Sequence, residues 1–212
     1  MPEDQQNSPL RLAVLISGGG TTLQNLIQRI GTNRLYASIE IVISSNSEAR
    51  GIEFAAQAEI PSSIAARSEF QSDQDYSSEV FRRCRDGNVD LVVMAGFLKY
   101  LPIASDFENR VVNIHPGLIP AFCGKGMYGL RVHQAVLDYG AKVSGCTVHF
   151  VDDVYEHGPI ILQRVVDVHD DDTAEMLQQR VFAAECEALP DAISLFGAGK
   201  LRVEGRRVAI TQ

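Results

Sequence analysis

The sequence predicts an α/β protein with a mainly parallel central sheet between helical layers and an antiparallel hairpin toward the C-terminus. Three observations predict it. Apolar runs of strand length alternate with segments of helical periodicity, as right-handed βαβ units require. Several of those runs are apolar at every position, as strands covered on both faces are. After about residue 140 the rhythm changes, and two strand-like runs are joined by only seven residues (152–158). That loop is too short for a crossover helix, so the two runs pair antiparallel.

Residues 1–10 are polar for most of their length and are expected to form a disordered tail, with 11–212 as one domain. Leu12–Ile16 predicts the first strand. It breaks at Ser17-Gly-Gly-Gly-Thr-Thr22, and a helix follows with Leu23, Leu26, Ile27 and Ile30 on one face. Ile39–Ile43 predicts the second strand, Ser47–Ala58 a helix, and Pro61–Ala65 a short strand. A helix over Asp73–Arg85 meets Asp86-Gly87-Asn88 as its stop signal. Asp90–Ala95 is the most hydrophobic strand, and the run Arg110-Val111-Val112 delivers the next. Lys142–Val151 and Pro159–Val168 form the hairpin. A long helix over Thr173–Phe196 takes Asp172 as N-cap with Glu175 at the capping-box position. Leu201–Val203 and Arg207–Ile210 close the chain as a second hairpin around Glu204-Gly205. The whole is a Rossmann-like three-layer sandwich.

Composition narrows the function. A formal charge of −8 argues against a general nucleic-acid binder but leaves room for an anionic small molecule held by backbone amides. No apolar stretch approaches the roughly 20 residues of a membrane span. The first residues have neither the basic nor the apolar region of a signal peptide. Cys84, Cys123, Cys146 and Cys186 are scattered without a C-x-x-C pair, which fits reduced thiols in the cytoplasm.

Two constellations suggest chemistry. The glycine loop before the first helix lets backbone approach a ligand, and its N–H groups and threonine hydroxyls suit a phosphate. The spacing is neither that of a dinucleotide fingerprint nor that of a P-loop. Asn113 and His115 share one face at the end of a strand, where ligands of open α/β sheets bind. They can grip a developing oxyanion; equally, they can serve only to satisfy loop backbone. The loop joining the hairpin strands gathers Asp152, Asp153, Glu156 and His157, and a carboxylate there can orient and charge His115. No zinc spacing supports a metal.

Ser17-Gly-Gly-Gly-Thr-Thr-Leu-Gln24, Met94-Ala-Gly-Phe-Leu98, Asn113-Ile-His-Pro-Gly-Leu-Ile-Pro120 and Gly145-Cys-Thr-Val-His-Phe-Val151 resemble the bacterial phosphoribosylglycinamide formyltransferases. The resemblance runs from about residue 11 to 203. Asn-x-His-Pro with Thr-Val-His-Phe-Val is specific to the wider folate-dependent formyltransferase group. It implies transfer of a formyl group from 10-formyltetrahydrofolate to the amine of 5'-phosphoribosylglycinamide in purine biosynthesis, through a tetrahedral intermediate stabilised by Asn113 and His115. It implies no metal, no nucleic-acid or membrane partner, and a monomer or homodimer. Gly19, Gly20, Thr21 and Thr22 would hold the ribonucleotide phosphate, and Glu185 would contact the glycinamide. Leu98, Tyr100, Leu101, Val151, Asp152 and Asp153 would line the folate pocket. The family's catalytic aspartate falls at Glu156, so the loop has shifted, or Asp152 or Asp153 has taken over, or turnover is poor. The segment Cys123–Gly129 departs from the commoner short form. A formyltetrahydrofolate hydrolase and a weakened folate- or phosphate-binding homologue are the alternatives.

Overall fold

The computed structural model describes residues 8–211. Its nine strands are β1 (Leu10–Ile16), β2 (Ala37–Ser44), β3 (Ser62–Ile64), β4 (Leu91–Met94), β5 (Val111–His115), β6 (Val143–Phe150), β7 (Ile160–Asp167), β8 (Leu201–Glu204) and β9 (Arg207–Ile210). They form one sheet in the order β3-β2-β1-β4-β5-β6-β7-β9-β8. The first five strands are mutually parallel, and β6 runs antiparallel to both β5 and β7. The terminal hairpin of β8 and β9 joins the edge through one parallel bridge, Ile160 to Arg207. Most of the tail expected over 1–10 lies outside the described residues; Leu10 itself pairs with Ala37 as the first residue of β1.

At the centre of the sheet β4 is apolar throughout, and β1 is apolar but for Arg11, because both faces are covered. In β1, Leu12, Val14 and Ile16 join a core with helices α1 (Thr21–Gly31), α2 (Gly51–Gln57), α4 (Leu130–Tyr139) and α5 (Ala174–Gly197). Ala13 and Leu15 point the other way into a second core built on α3 (Asp73–Asp86), with Tyr76, Phe81 and Phe107.

Four features differ from the sequence expectation. First, α2 starts at Gly51 rather than Ser47. The Asn46 side chain accepts from the Glu48 N–H and Ala49 N–H bonds the Asn46 carbonyl, so the chain turns before it coils. Second, α3 runs one residue further than expected, to Asp86, and within the expected stop signal Asn88 takes the left-handed conformation (φ 50°). Third, α4 was not foreseen; it buries Val132, His133 and Val136 and closes on left-handed Gly140.

Fourth, the N-cap of α5 is Thr173, whose hydroxyl accepts from Met176 N–H. Asp172 is engaged instead by Arg180 at 2.6 and 2.8 Å, which holds its carboxyl down at about 2. Glu175 therefore sits one place too early for a capping box. Pro190 does not stop α5. The Cys186 carbonyl, which a proline four residues on cannot bond, accepts from the Arg29 guanidinium, itself paired with Glu187.

Thr173→Ala should lower the unfolding free energy by about 1 kcal/mol, read from the urea midpoint at unchanged slope.

Candidate active site

The parallel part of the sheet reverses its winding at β1, with β2 on one side and β4 on the other. A crevice opens at such a switch point. Ser17 ties it together: its hydroxyl accepts from Leu98 N–H at 2.9 Å and shares a 2.7 Å hydrogen bond with Ser45, joining the loops after β1, β2 and β4. Gly20, at φ 72°, begins α1 so close to Gly51 that any side chain there would overlap the Gly51 backbone. The loop is locked from behind, as Gly51 N–H also bonds the Gly18 carbonyl.

Two cavities flank the end of β5. The larger, about 520 Å³, is lined by Gly19, Thr21, Thr22, His115, His133 and Glu185. The smaller, about 370 Å³, has Leu98, Tyr100, Leu101, Val151 and Asp152 in its wall, with His149. Asn113 and Glu156 line both, so the cavities meet there. Gly20 lies buried behind the first wall, and Asp153 lies outside the second. Asp153 braces it: its carboxylate accepts from Ile103 N–H and its carbonyl from the Tyr100 hydroxyl.

His115 is buried, with Nδ1 at 2.6 Å from a Glu156 carboxylate oxygen and Nε2 at 2.9 Å from the Phe122 carbonyl. An acceptor faces each ring nitrogen, so the doubly protonated ring satisfies both. The other Glu156 oxygen accepts from Gly124 N–H, tying the 120–129 loop to the histidine. Glu156 itself is left-handed (φ 52°). Asp152 is engaged elsewhere, by Val154 N–H and His157. The carboxylate on His115 is therefore Glu156. The longer side chain is accommodated by the turn.

Asn113 lies opposite His149 in the β5–β6 ladder, and its amide nitrogen donates to His149 Nε2 at 3.2 Å. That assignment follows because His149 Nδ1 faces the Phe150 carbonyl at 2.7 Å and must carry the ring proton. Burial lowers the His149 pKa and keeps the ring neutral, with its lone pair free to accept. One amide hydrogen of Asn113 is thereby fixed and the other is left for the cavity. Thr147, opposite His115, donates to the Gly117 carbonyl and accepts from Ile119 N–H and Gln163. Gly117 carries no side chain because the His115 ring occupies that space.

Residue patterns alone missed His149, Thr147, Gln163 and His133 as site residues. The period-two pair Thr147 and His149 was the available signal for two of them. His133 is almost wholly buried on α4, its Nδ1 has no hydrogen-bond partner, and burial, then the charge of His115, pulls its pKa down to about 4. Glu185 on α5 opens onto the cavity but is otherwise enclosed, and desolvation pushes its carboxyl up to about 7 against the pull of His115. Among the described residues no cluster of three metal-type side chains gathers. No helix there is long and apolar enough to cross a membrane.

The family model described as formyl transferase matches residues 10–193. The crystal structure of glycinamide ribonucleotide transformylase 1 from Symbiobacterium toebii is similar at 38% identity and a TM-score of 0.90, covering 98% of this chain and 96% of that one. The trifunctional purine biosynthetic protein adenosine-3 of Drosophila pseudoobscura pseudoobscura is 40% identical over 196 residues, 91% of this chain. The chloroplastic phosphoribosylglycinamide formyltransferase of Vigna unguiculata is 38% identical over 177 residues, 82% of this chain. This chain spans 14% and 57% of the length of those two relatives.

The depressed His133 has a consequence for stability. Between its ordinary value of about 6.5 and its folded value of about 4, the unfolded chain takes up a proton that the folded chain refuses. Stability should therefore fall as the pH drops through that window, by up to about 1.4 kcal/mol per pH unit from this group. Urea midpoints at pH 7, 6 and 5 should decline less steeply in His133→Leu than in the wild type.

Proposed function

The chain belongs to the formyl transferase family, and on that premise we propose that it transfers the formyl group of 10-formyltetrahydrofolate to the primary amine of 5'-phosphoribosylglycinamide, a step of de novo purine biosynthesis. The observation that carries the proposal is the meeting of two cavities at Asn113 and Glu156, with His115 held by Glu156 in the wall of the larger one. One suits a phosphorylated amine: Gly19, Thr21 and Thr22 line it at the start of α1, where unpaired N–H groups and the helix dipole favour an anion. The other suits a flat heteroaromatic donor, with Leu98, Leu101 and Val151 for its faces and the Tyr100–Tyr155 pair, 5.7 Å between ring centroids, at its side.

His115 and Asn113 act on charge that develops at the formyl oxygen. In the resting site the His115 Nε2–H serves the Phe122 carbonyl. A developing oxyanion is a stronger acceptor than a neutral carbonyl, so this donor engages most strongly in the transition state. Asn113 adds its second amide hydrogen, held in place by the bond of the first to His149. Glu156 orients His115 through its Nδ1, and it relays protons through water between the attacking and leaving nitrogens. The folate supplies the formyl group when bound; every positioning and charge-stabilising role belongs to the chain's own residues. The four free thiols fit a reducing, cytoplasmic location.

Folate absorbance with and without the ribonucleotide tests the function. Formyl transfer should depend on the ribonucleotide; formate release without it would identify a hydrolase instead. Asn113→Ala and His115→Ala should each lower kcat by about 10²–10³-fold with circular dichroism unchanged. Because Glu156 already reaches His115, Glu156→Asp should retract the carboxylate and lower kcat, by up to about 100-fold. A gain in activity would mean that the longer side chain misplaces the charge.

A further inference from the structure

Two carboxylates line the larger cavity, and only one of them has a protein partner. Glu156 is committed to His115 and to the Gly124 amide. Glu185 makes no hydrogen bond or ion pair among the described residues, although it lies within the electrostatic reach of His115. No group on a neighbouring element is reserved as its counter-ion. His115 on β5 already has Glu156, and His133 on α4 is held neutral by burial. Arg29 on α1 is spent on Glu187 and the Cys186 carbonyl, and Arg164 on β7 on Asp191. Cys146 on β6 and Cys186 beside it have raised pKa values and stay protonated at neutral pH. A carboxylate enclosed by protein without a cation waits for one from a ligand.

We propose that Glu185 accepts the proton that the substrate's ammonium must lose before its nitrogen can attack, an inference that rests on the formyl-transfer function above. A primary amine next to a carbonyl-bearing carbon enters largely protonated at neutral pH, with a value of about 8. The ammonium N–H bond breaks, its electron pair stays on nitrogen, and the proton joins a Glu185 oxygen. The freed lone pair attacks the formyl carbon while Asn113 and His115 meet the oxyanion. One amine hydrogen then passes to the leaving folate nitrogen and one remains on the product amide. The transfer therefore releases one proton overall, and Glu185 returns it to water as product leaves.

The enclosure that isolates Glu185 drives this step. Ammonium and carboxylate together become amine and carboxylic acid, so two charges vanish inside a cavity that solvates charge poorly. The carboxyl, already lifted to about 7, lies close enough to the amine for fast proton exchange and for return of the proton near neutral pH. Glu185 thus takes the first proton from the nucleophile while Glu156 relays the second to the leaving nitrogen, which divides acid–base work between the two carboxylates of one cavity.

The test is the pH dependence of kcat/KM for 5'-phosphoribosylglycinamide in the wild type, Glu185→Gln and Glu185→Asp. The wild type should show an acid limb near 7. In Glu185→Gln the limb should move up by about one unit to that of the amine itself, with roughly a tenfold loss near pH 6.5 that is recovered by pH 9. Glu185→Asp, which keeps a carboxylate, should hold its limb below that of Glu185→Gln whatever its rate. Removing an unpartnered carboxyl should leave the melting temperature of Glu185→Gln at or above that of the wild type. A loss uniform across pH, or the same limb in all three proteins, would overturn the inference and make Glu185 a binding group only. A wild type unable to transfer formyl to the ribonucleotide would overturn the function on which it rests, a result separate from either of these.

Discussion

Asn113 and His115 share a face of β5, and β6 runs antiparallel beside them with His149 opposite Asn113 and Thr147 opposite His115. Directly opposed side chains on one face of an antiparallel pair lie within contact distance, so this register brings together four polar groups that the chain separates by more than thirty residues. Each has a distinct duty. His149 fixes the Asn113 amide, Thr147 holds the turn over which the His115 ring lies, and the two β5 side chains are left facing the cavity. A shift of one residue would turn His149 and Thr147 to the opposite face of the sheet. The rest of the site depends on that pairing.

Around this strand end, the loops after β1, β2 and β4 converge on the Ser17 hydroxyl, and the glycine loop is held against α2 through Gly20 and Gly51. These contacts shape the two cavities without contributing a charged group to either. Rigidity matters here because hydrogen bonds to a developing charge lose their value when they must reorganise. The 120–129 loop is attached differently, through Phe122 to His115 and through Gly124 to Glu156. Its position and the orientation of the imidazole are therefore coupled.

Burial sorts the ionisable groups of the site by role. His149 and His133 are kept neutral by desolvation, which makes one a hydrogen-bond acceptor and leaves the other with an unused ring nitrogen. His115 is as buried as either but faces an acceptor at each nitrogen. Glu156 has His115 as its partner, and Glu185 has none among the described residues. Within one cleft the environment of each titratable group is thus set by its burial and its partners rather than by residue type.

Periodicity and turn chemistry, being local, made most strands, the long helix and both hairpins legible in the sequence. The glycine loop and the Asn113–His115 pair were legible as well, because a strand end next to proline and glycine is itself a local pattern. Helix ends were less so. Asp172 and Thr173 are both good capping residues, and only the position of Arg180 nearly two turns into α5 decides which of them caps. The start of α2 follows the local Asn46 turn and is joined there to the distant glycine loop through the Gly51 N–H. Whether Glu156, Asp152 or Asp153 reaches His115 was undecidable from spacing, since all three lie in one short loop and its left-handed turn at Glu156 makes the selection. By itself the sequence determined the alternation of elements, the polar strand end and the chemistry available there. The tertiary structure decided which carboxylate serves the histidine, which histidines stay neutral and which glutamate stands alone, because those outcomes depend on register, burial and charge across segments that meet only in the folded chain.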